Sequence, residues 1–166
     1  MKFIYGILII LAVAGLSLIV AGQTGFLIGQ VPQNLGVVDG KLSPPSATPN
    51  SVTSQADLYP EHPQKNYSKI APLTYMGDAD EAMQTLAAVL ASSEGTVVVK
   101  NEAGYIYAQN TTALLRFTDD LEFWLDRANN AIQVRSASRI GKSDLGKNRK
   151  RIESIRESFN RALTAR

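Results

Sequence analysis

Acidic side chains crowd one short stretch of this 166-residue sequence, which carries Asp119, Asp120, Glu122 and Asp126. Paired carboxylates can perform acid–base catalysis or bind Ca²⁺, although this spacing does not match an EF-hand loop. On a β-strand, alternation would place Asp120, Glu122 and Asp126 on the same face. They could then form cross-strand ion pairs with Arg135 and Arg139 of a following strand. The pattern favours structural carboxylates and leaves metal binding and catalysis as alternatives.

Three arginines, Arg116, Arg135 and Arg139, are predicted to project from one face of the sheet. The planar guanidinium binds phosphate and carboxylate bidentately, so the three could hold an anion such as a lipid headgroup or a phosphate. Residues 70–134 carry nine acidic and three basic side chains, whereas residues 135–166 carry three acidic and ten basic ones. Mutual neutralisation of the two stretches is therefore the alternative interpretation. Nucleic acid is not an expected partner, because the chain is expected to be exported and these bases lack accompanying aromatic residues.

The composition excludes several kinds of site. The sequence has no cysteine and a single histidine, His62, which removes disulfides, a lipidated cysteine, thiol nucleophiles and multi-histidine metal sites. Gly141-Lys142-Ser143 resembles the end of a phosphate-binding loop, but Ser136 stands where that motif needs glycine. No metal or cofactor is predicted, and enzymatic activity is not favoured. A hydrolase of envelope material would have to use the acidic stretch, the hydroxyls of Ser136 and Ser138, or His62.

Twenty uncharged residues, Phe3–Gly22, follow Met1-Lys2 at the N-terminus. As a helix they would cover about 30 Å, the thickness of the hydrocarbon core of a bilayer. Residues 1–29 are therefore predicted to form a single membrane anchor, with a cleaved signal peptide or a buried core helix as alternatives. Lys2 favours a cytoplasmic N-terminus, which would place the rest of the chain in an extracytoplasmic space such as a periplasm or lumen.

Residues 30–68 contain six of the seven prolines and are predicted to form a linker of extended and turning chain. Apolar residues in this linker, among them Leu42, Val52 and Tyr59, indicate that it lies against a folded domain predicted at residues 69–166. His62 falls within the linker and is expected in an exposed loop.

The folded domain is predicted to be α+β, an antiparallel sheet meander with two helices packed on it, preceded by the transmembrane helix. Asp78 is the expected N-cap of the first helix, whose apolar stripe consists of Met83, Leu86, Val89 and Leu90. The second helix is predicted over Asp144–Leu163, with a buried face of Leu145, Ile152, Ile155, Phe159 and Leu163. Strands are predicted at Ile70–Tyr75, Thr96–Asn101, Tyr105–Gln109, Ala113–Thr118, Leu121–Asp126 and Ala131–Arg139, with a turn or bulge at Asp119-Asp120.

Four segments of the sequence carry a family resemblance: Leu35–Leu42, Thr48–Val52, Phe117–Phe123 and Val134–Arg149. Together they resemble the domain-of-unknown-function 1499 family, over residues 35–160. Members of that family are usually bacterial or plastid proteins with an N-terminal signal, lipid anchor or membrane segment, so the resemblance implies the same compartment here. Many members carry two cysteines near the positions of Pro45 and Ser51, and this sequence does not.

The resemblance implies a compartment rather than a reaction. We expect binding residues among the family's polar positions and the three arginines, namely Arg116, Arg135, Arg139, Asn148, Arg149, Asp120, Glu122 and Asn50. The sequence predicts a membrane-anchored, extracytoplasmic module that binds an anionic ligand or a protein partner. The alternatives are a structural or assembly factor for a membrane complex and, third, an envelope hydrolase.

Overall fold

An antiparallel sheet forms the centre of the computed structural model. The structure describes residues 1–165, so Arg166, the last residue of the predicted domain, lies outside the described residues. The strands are β1 (Ser51–Thr53), β2 (Leu73–Thr74), β3 (Thr96–Glu102), β4 (Tyr105–Thr111), β5 (Thr118–Asp126) and β6 (Ala131–Ser138). Their spatial order is β1-β6-β5-β4-β3, and β2 also pairs with β6. The predicted antiparallel meander is therefore confirmed.

Two helices pack against this sheet. The helices of the chain are α1 (Lys2–Gln23), the one-turn α2 (Lys65–Ser68), α3 (Ala79–Ser92) and α4 (Lys147–Thr164), with short 3₁₀ turns at Ala56–Leu58 and Arg127–Asn129. Both α3 and α4 contribute to the apolar core beneath the sheet. The Asp78 carboxylate accepts hydrogen bonds from the backbone N–H groups of Asp80 and Glu81, which confirms Asp78 as the N-cap of α3. The α+β class is confirmed.

The apolar core alternates along the strands. Leu121 and Phe123 of β5 and Ile132 and Val134 of β6 have no exposed surface, and they pack in one cluster with Phe159 of α4. Because successive side chains of a strand point to opposite faces, the residues between them face away from the helices. The predicted carboxylates and arginines of β5 and β6 lie on that second face.

Part of the predicted linker is a strand. Strand β1 pairs with β6, with Val52 opposite Ser136, and the side chains of Val52 and Leu42 are each only 1% exposed. This part of the linker lies against the domain, as its apolar residues indicate. Three residues are too few to show alternation, so this strand depends on pairing with a segment far along the chain.

The predicted strand Ala113–Thr118 is wrong. Residues 113–115 form a turn between β4 and β5, and Arg116 follows that turn with a backbone φ of +58°. The turn expected at Asp119-Asp120 is also wrong, because both residues pair within β5, opposite Asn110 and Gln109 of β4. Aspartate disfavours strands in general, but here partners on neighbouring elements stabilise the pairing.

Two other elements are shorter than predicted. The edge strand expected over residues 70–75 is reduced to β2, and the last helix begins at Lys147 rather than at Asp144. Leu145, predicted on the buried face of that helix, precedes it and is 84% exposed. The remaining predicted core residues of α4 are buried or packed against the core: Ile152, Ile155, Phe159 and Leu163.

Helix α1 is exposed along its apolar length. It has 22 residues, which at a rise of 1.5 Å corresponds to about 33 Å, and its most apolar stretch is 0% buried. The helix is long and apolar enough to cross a membrane. A signal sequence would meet the same criterion, whereas the exposure of α1 argues against the alternative of a core helix.

Candidate functional site

Most of the predicted site residues lie in strands β5 and β6 or close to them. On the face away from the helices lie Asp120, Glu122, Arg135 and Arg139, and near the start of α4 lie Asn50, Asn148 and Arg149. Arg116 lies apart from both groups, at the end of the sheet. The first group forms an ionic layer, and the second forms a hydrogen-bonded junction.

Asp120 is the centre of one half of the ionic layer. Its side chain is fully buried, and its carboxylate accepts hydrogen bonds from Arg139 Nε at 2.9 Å and from Arg139 Nη2 at 2.7 Å. The Tyr107 hydroxyl donates a third bond at 2.6 Å. Bidentate, charge-assisted pairs of this kind are strong and geometrically specific. The Arg139 guanidinium is therefore already bound to a carboxylate of its own chain.

Glu122 is the centre of the other half and is also fully buried. Arg135 Nη1 donates to Glu122 Oε2 at 3.2 Å, and the Tyr105 hydroxyl donates to Oε1 at 2.8 Å. The same Oε1 accepts the backbone N–H of Gly36 at 2.7 Å. Arg135 Nε donates to the Pro44 carbonyl at 3.4 Å. The last two contacts tie the chain before β1 to the sheet.

Residues 34–46, which we call the strap, lie against the Glu122 half of the ionic layer. The Leu42 N–H donates to Gln55 Oε1 at 2.8 Å, and the Tyr59 hydroxyl donates to the Leu42 carbonyl at 2.8 Å. The side chains of Arg135 and Arg139 are only 7% and 3% exposed. Arg135 is placed to hold the strap to the strands, and Arg139 to hold β5 to the chain after β6, rather than to meet a ligand from solution.

Both tyrosines of the ionic layer are held in the protonated form. Burial raises the pKa of Tyr105, and the adjacent Glu122 carboxylate raises it further. Burial and the hydrogen bond to Asp120 likewise raise the pKa of Tyr107. Each hydroxyl therefore remains a donor to its carboxylate. The sequence analysis missed these two tyrosines, and their spacing of two along the strand before the carboxylates was the available signal.

The prediction that three arginines share one sheet face is wrong for Arg116. Arg135 and Arg139 do lie on the same face, where they pair with the two buried carboxylates. Arg116 is exposed and follows the turn after β4, because the strand predicted around it does not form. The predicted cross-strand ion pairs are present for Asp120 and Glu122, whereas the Asp126 carboxylate accepts hydrogen bonds from the Asn129 and Gln133 side chains instead.

Asn148 is the centre of the junction between β1, β6 and α4. Its side chain is fully buried, and its Oδ1 accepts hydrogen bonds from Ser136 Oγ at 2.6 Å and Arg151 Nη1 at 3.0 Å. Its Nδ2 donates to the Asn50 carbonyl at 3.0 Å and to Ser138 Oγ at 3.0 Å. The side-chain amide of Asn148 in α4 thus connects this helix to β6 and to Asn50, which directly precedes β1.

Asp144 caps the start of α4. Its carboxylate accepts hydrogen bonds from the N–H groups of Gly146 at 3.0 Å and Asn148 at 2.8 Å, and from the Tyr67 hydroxyl. Burial alone would raise its pKa, but the hydrogen bonds from Tyr67 and the two backbone groups hold the pKa of Asp144 below its usual range. Arg149 Nη2 donates to the Tyr67 carbonyl at 2.6 Å. The helix start is therefore occupied by an ionised group of the chain itself.

Two further contacts complete the junction. Asn50 Nδ2 donates to the Gly141 carbonyl at 2.8 Å, while its Oδ1 is a buried acceptor without a partner among residues 1–165. Arg151 Nη2 lies 2.6 Å from the Asp119 carboxylate, an ion pair on the helix side of the sheet. The sequence analysis missed Arg151, because nothing in the helical pattern distinguishes it from the neighbouring bases.

The residues suggested for hydrolytic chemistry have structural partners. Asp120 and Glu122 are fully buried, and the Ser136 hydroxyl donates a hydrogen bond to Asn148. His62 Nδ1 accepts the backbone N–H of Gln64 at 3.1 Å within its own loop. Within residues 1–165 the structure contains no group of three or more His, Asp or Glu side chains placed to hold a metal ion.

The end of α1 is seated on the turn between β4 and β5. Gly22 is buried there, and a Cβ at this position would lie 2.6 Å from the carbonyl oxygen of Leu115. Gln23 Nε2 donates to the carbonyls of Ala113 at 3.1 Å and Leu114 at 3.0 Å. These contacts fix the direction in which the helix leaves the domain.

The two ends of the sheet are therefore distinct. The end that receives α1, which we call the anchor end, contains the turn 113–115 and the start of β5. The far end contains the hairpin residues Ala103 and Gly104. The seven residues of β4 separate the two ends by about 20 Å.

Comparison with known proteins places most of the domain in a family. A family model described as a protein of unknown function (DUF1499) matches residues 41–159, which is more than half of the chain. No curated protein and no solved structure shows significant similarity. The matched range contains the buried carboxylates of the ionic layer and Asn148 of the junction.

Proposed function

The chain belongs to the DUF1499 family of proteins of unknown function, and we propose that it is a single-pass membrane protein whose domain lies outside the cytoplasm and binds an anionic ligand. In this proposal α1 stays attached as an anchor. The domain acts as a binding module at the membrane surface rather than as a catalyst.

The main support for this proposal is the contact between the end of α1 and the turn 113–115 of the domain. A cleavage at the small residues near Gly22 would remove the helix that contacts Leu115 and leave Gln23 at a new N-terminus. A signal peptide has no need of a fitted contact with the mature domain. The close approach at Gly22, which cleavage before Gln23 would remove, therefore supports retention of the helix.

The charge distribution supports an anionic ligand at the anchor end. Arg135 and Arg139 are buried and neutralised by ion pairs, so we assign them, with Asp120 and Glu122, to holding the domain together. The exposed Arg116 remains a binding candidate. The proposed binding surface therefore moves from the sheet face to the end of the sheet beside α1.

A second candidate function, assembly with a partner protein, is favoured by the free edge of the sheet. Strand β3 is last in the strand order, and its Val97 and Val99 side chains are 64% and 53% exposed. Edge strands offer backbone N–H and C=O groups to another chain. A partner that copurifies with the full-length chain, and is lost in a Val97→Lys variant, would favour assembly over anion binding.

The anchoring claim predicts an intact, membrane-embedded chain. When the full-length chain is expressed in a bacterial host, we expect it to resist alkaline carbonate extraction and to have an intact mass that includes α1. Protease added to spheroplasts should digest the domain. The variant Leu11→Arg should shift the protein out of the carbonate-resistant fraction, since arginine at the centre of a spanning helix costs about 3 kcal/mol.

The matched control is Leu58→Arg, which places the same charge on a leucine that is 49% exposed outside α1. This variant should fractionate as the parent chain does. A mature mass that begins at Gln23 or later would contradict the proposal, and so would a domain that resists protease until the inner membrane is lysed.

A further inference from the structure

We propose, building on the anchoring proposal, that the anchor end of the domain docks onto anionic phospholipid headgroups of the membrane that α1 spans. The docking surface, which we call the juxtamembrane face, consists of Phe26, Leu114, Arg116, Lys142, Leu145 and Lys147. It combines exposed apolar side chains with exposed cations immediately beside the end of the anchor.

The juxtamembrane face is assembled from three separate parts of the chain. Leu114 belongs to the turn that receives Gln23, and Phe26 follows shortly after α1. A cavity of about 260 Å³ lies between the chain that follows this turn and the segment before α4, and its lining includes Phe117, Leu145 and Lys147. These residues therefore lie at the end of the sheet from which α1 departs.

The apolar part of the face is unusually exposed. Phe26, Leu114 and Leu145 are 82%, 60% and 84% exposed. Leu145 also has a backbone φ of +52°, a conformation that bulky residues rarely adopt. The Asp144 carboxylate holds it there by binding the N–H groups of Gly146 and Asn148 on its C-terminal side. A leucine kept in a strained conformation and presented to the outside is better explained by a binding role than by the fold.

The basic part of the face is free to meet external anions. Arg116, Lys142 and Lys147 are exposed, and among residues 1–165 none of them has a carboxylate within ion-pair distance. The nearby Asp119 carboxylate is paired with Arg151 instead. Cations beside apolar side chains are typical of surfaces that lie in the headgroup region of a bilayer.

The position of α1 is the reason to expect a bilayer at this face. Because α1 is seated on the turn that carries Leu114, the face adjoins the point where the helix enters the bilayer. A basic segment beside a membrane is attracted to anionic lipids, and each Lys or Arg strengthens that attraction about fivefold. A protein partner for the same face would have to displace the headgroups first.

Site-specific probes in the reconstituted full-length chain test this proposal. Since the sequence has no cysteine, a single Leu145→Cys variant can be labelled with an environment-sensitive fluorophore. An Ala103→Cys variant at the far end is the matched control, because that residue is also exposed. Both are placed in vesicles that contain a lipid with a spin label near the headgroup, with or without phosphatidylglycerol.

We expect the Leu145→Cys probe to be quenched at least twofold more in phosphatidylglycerol vesicles than in purely zwitterionic ones, and the Ala103→Cys probe to be unquenched in both. Combining Arg116→Gln, Lys142→Gln and Lys147→Gln with the Leu145→Cys probe should remove the dependence on phosphatidylglycerol. The proposal is overturned if the chain is carbonate-resistant, and thus anchored, while the two probes behave alike or the lipid charge has no effect. A chain that fails to insert instead overturns the anchoring proposal.

Discussion

Replacing Asp120 by alanine should destabilise the domain by about 3–5 kcal/mol, because the variant leaves the Arg139 guanidinium buried without its carboxylate. The Arg139 side chain is 3% exposed and so cannot recover its hydration in the folded domain. The Tyr107 hydroxyl loses its acceptor in the same variant. Urea unfolding of the full-length chain in detergent, followed by the fluorescence of the single tryptophan, Trp124, measures the loss.

An exposed ion pair provides the matched control for this prediction. Asp57 lies 2.5 Å from Lys69, but both side chains are 58% exposed, so Asp57→Ala should destabilise the domain far less than Asp120→Ala. The double variant Asp120→Ala with Arg139→Met should regain much of the lost stability, since it removes the unpaired charge. Equal losses for Asp120→Ala and Asp57→Ala would show that the buried Asp120–Arg139 pair contributes no more to stability than an exposed ion pair.

Replacing Asn148 by alanine should destabilise the domain by about 3 kcal/mol, because several buried polar groups lose their partner at once. Ser136 Oγ loses its acceptor, and the Asn50 carbonyl and Ser138 Oγ lose a donor. The same urea titration measures the effect. Hydrogen exchange should also rise in β1, which the amide ties to α4 through Asn50.

Asn160 on the same helix supplies the control for Asn148. It is exposed, so Asn160→Ala should change the free energy of unfolding by less than about 0.5 kcal/mol. An Asn148→Ala variant that is as stable as Asn160→Ala would contradict the assignment of Asn148 as a structural junction. It would instead make that family position available for ligand binding.

Local patterns were sufficient to predict the elements that depend on neighbouring residues. The N-cap at Asp78 and the hairpin at Gly104 follow from side chains a few positions apart, and both are present. The pairing of Glu122 with Arg135 also followed from alternation along predicted strands. In each case the physical cause lies within one element or between two adjacent ones.

The remaining features depend on contacts between distant segments. Strand β1 forms only because β6 offers it an edge, and the strap is ordered by bonds to Glu122 and Arg135. The contact between α1 and the domain requires the turn 113–115, for which the sequence analysis predicted a strand. No periodicity in one segment can indicate such contacts, so the sequence analysis placed Arg116 on the sheet face and not at the end of the sheet.

The family's polar residues connect distant parts of the chain. The ionic layer and the Asn148 junction bind the N-terminal half of the chain to β5, β6 and α4. The same sheet receives the end of α1 where Gly22 approaches Leu115. The central claim is that the domain keeps this fixed position on α1 within a membrane.

Cysteine cross-linking in membranes tests that claim most directly, because the parent chain has no thiols to interfere. The pair Gln23→Cys with Leu114→Cys joins α1 to the turn it contacts, whereas Gln23→Cys with Ala103→Cys joins it to the far end of the sheet. We predict rapid cross-linking of the first pair by a short bifunctional reagent and little of the second. Equal rates for the two pairs would show that the domain moves freely on its anchor and would contradict the account.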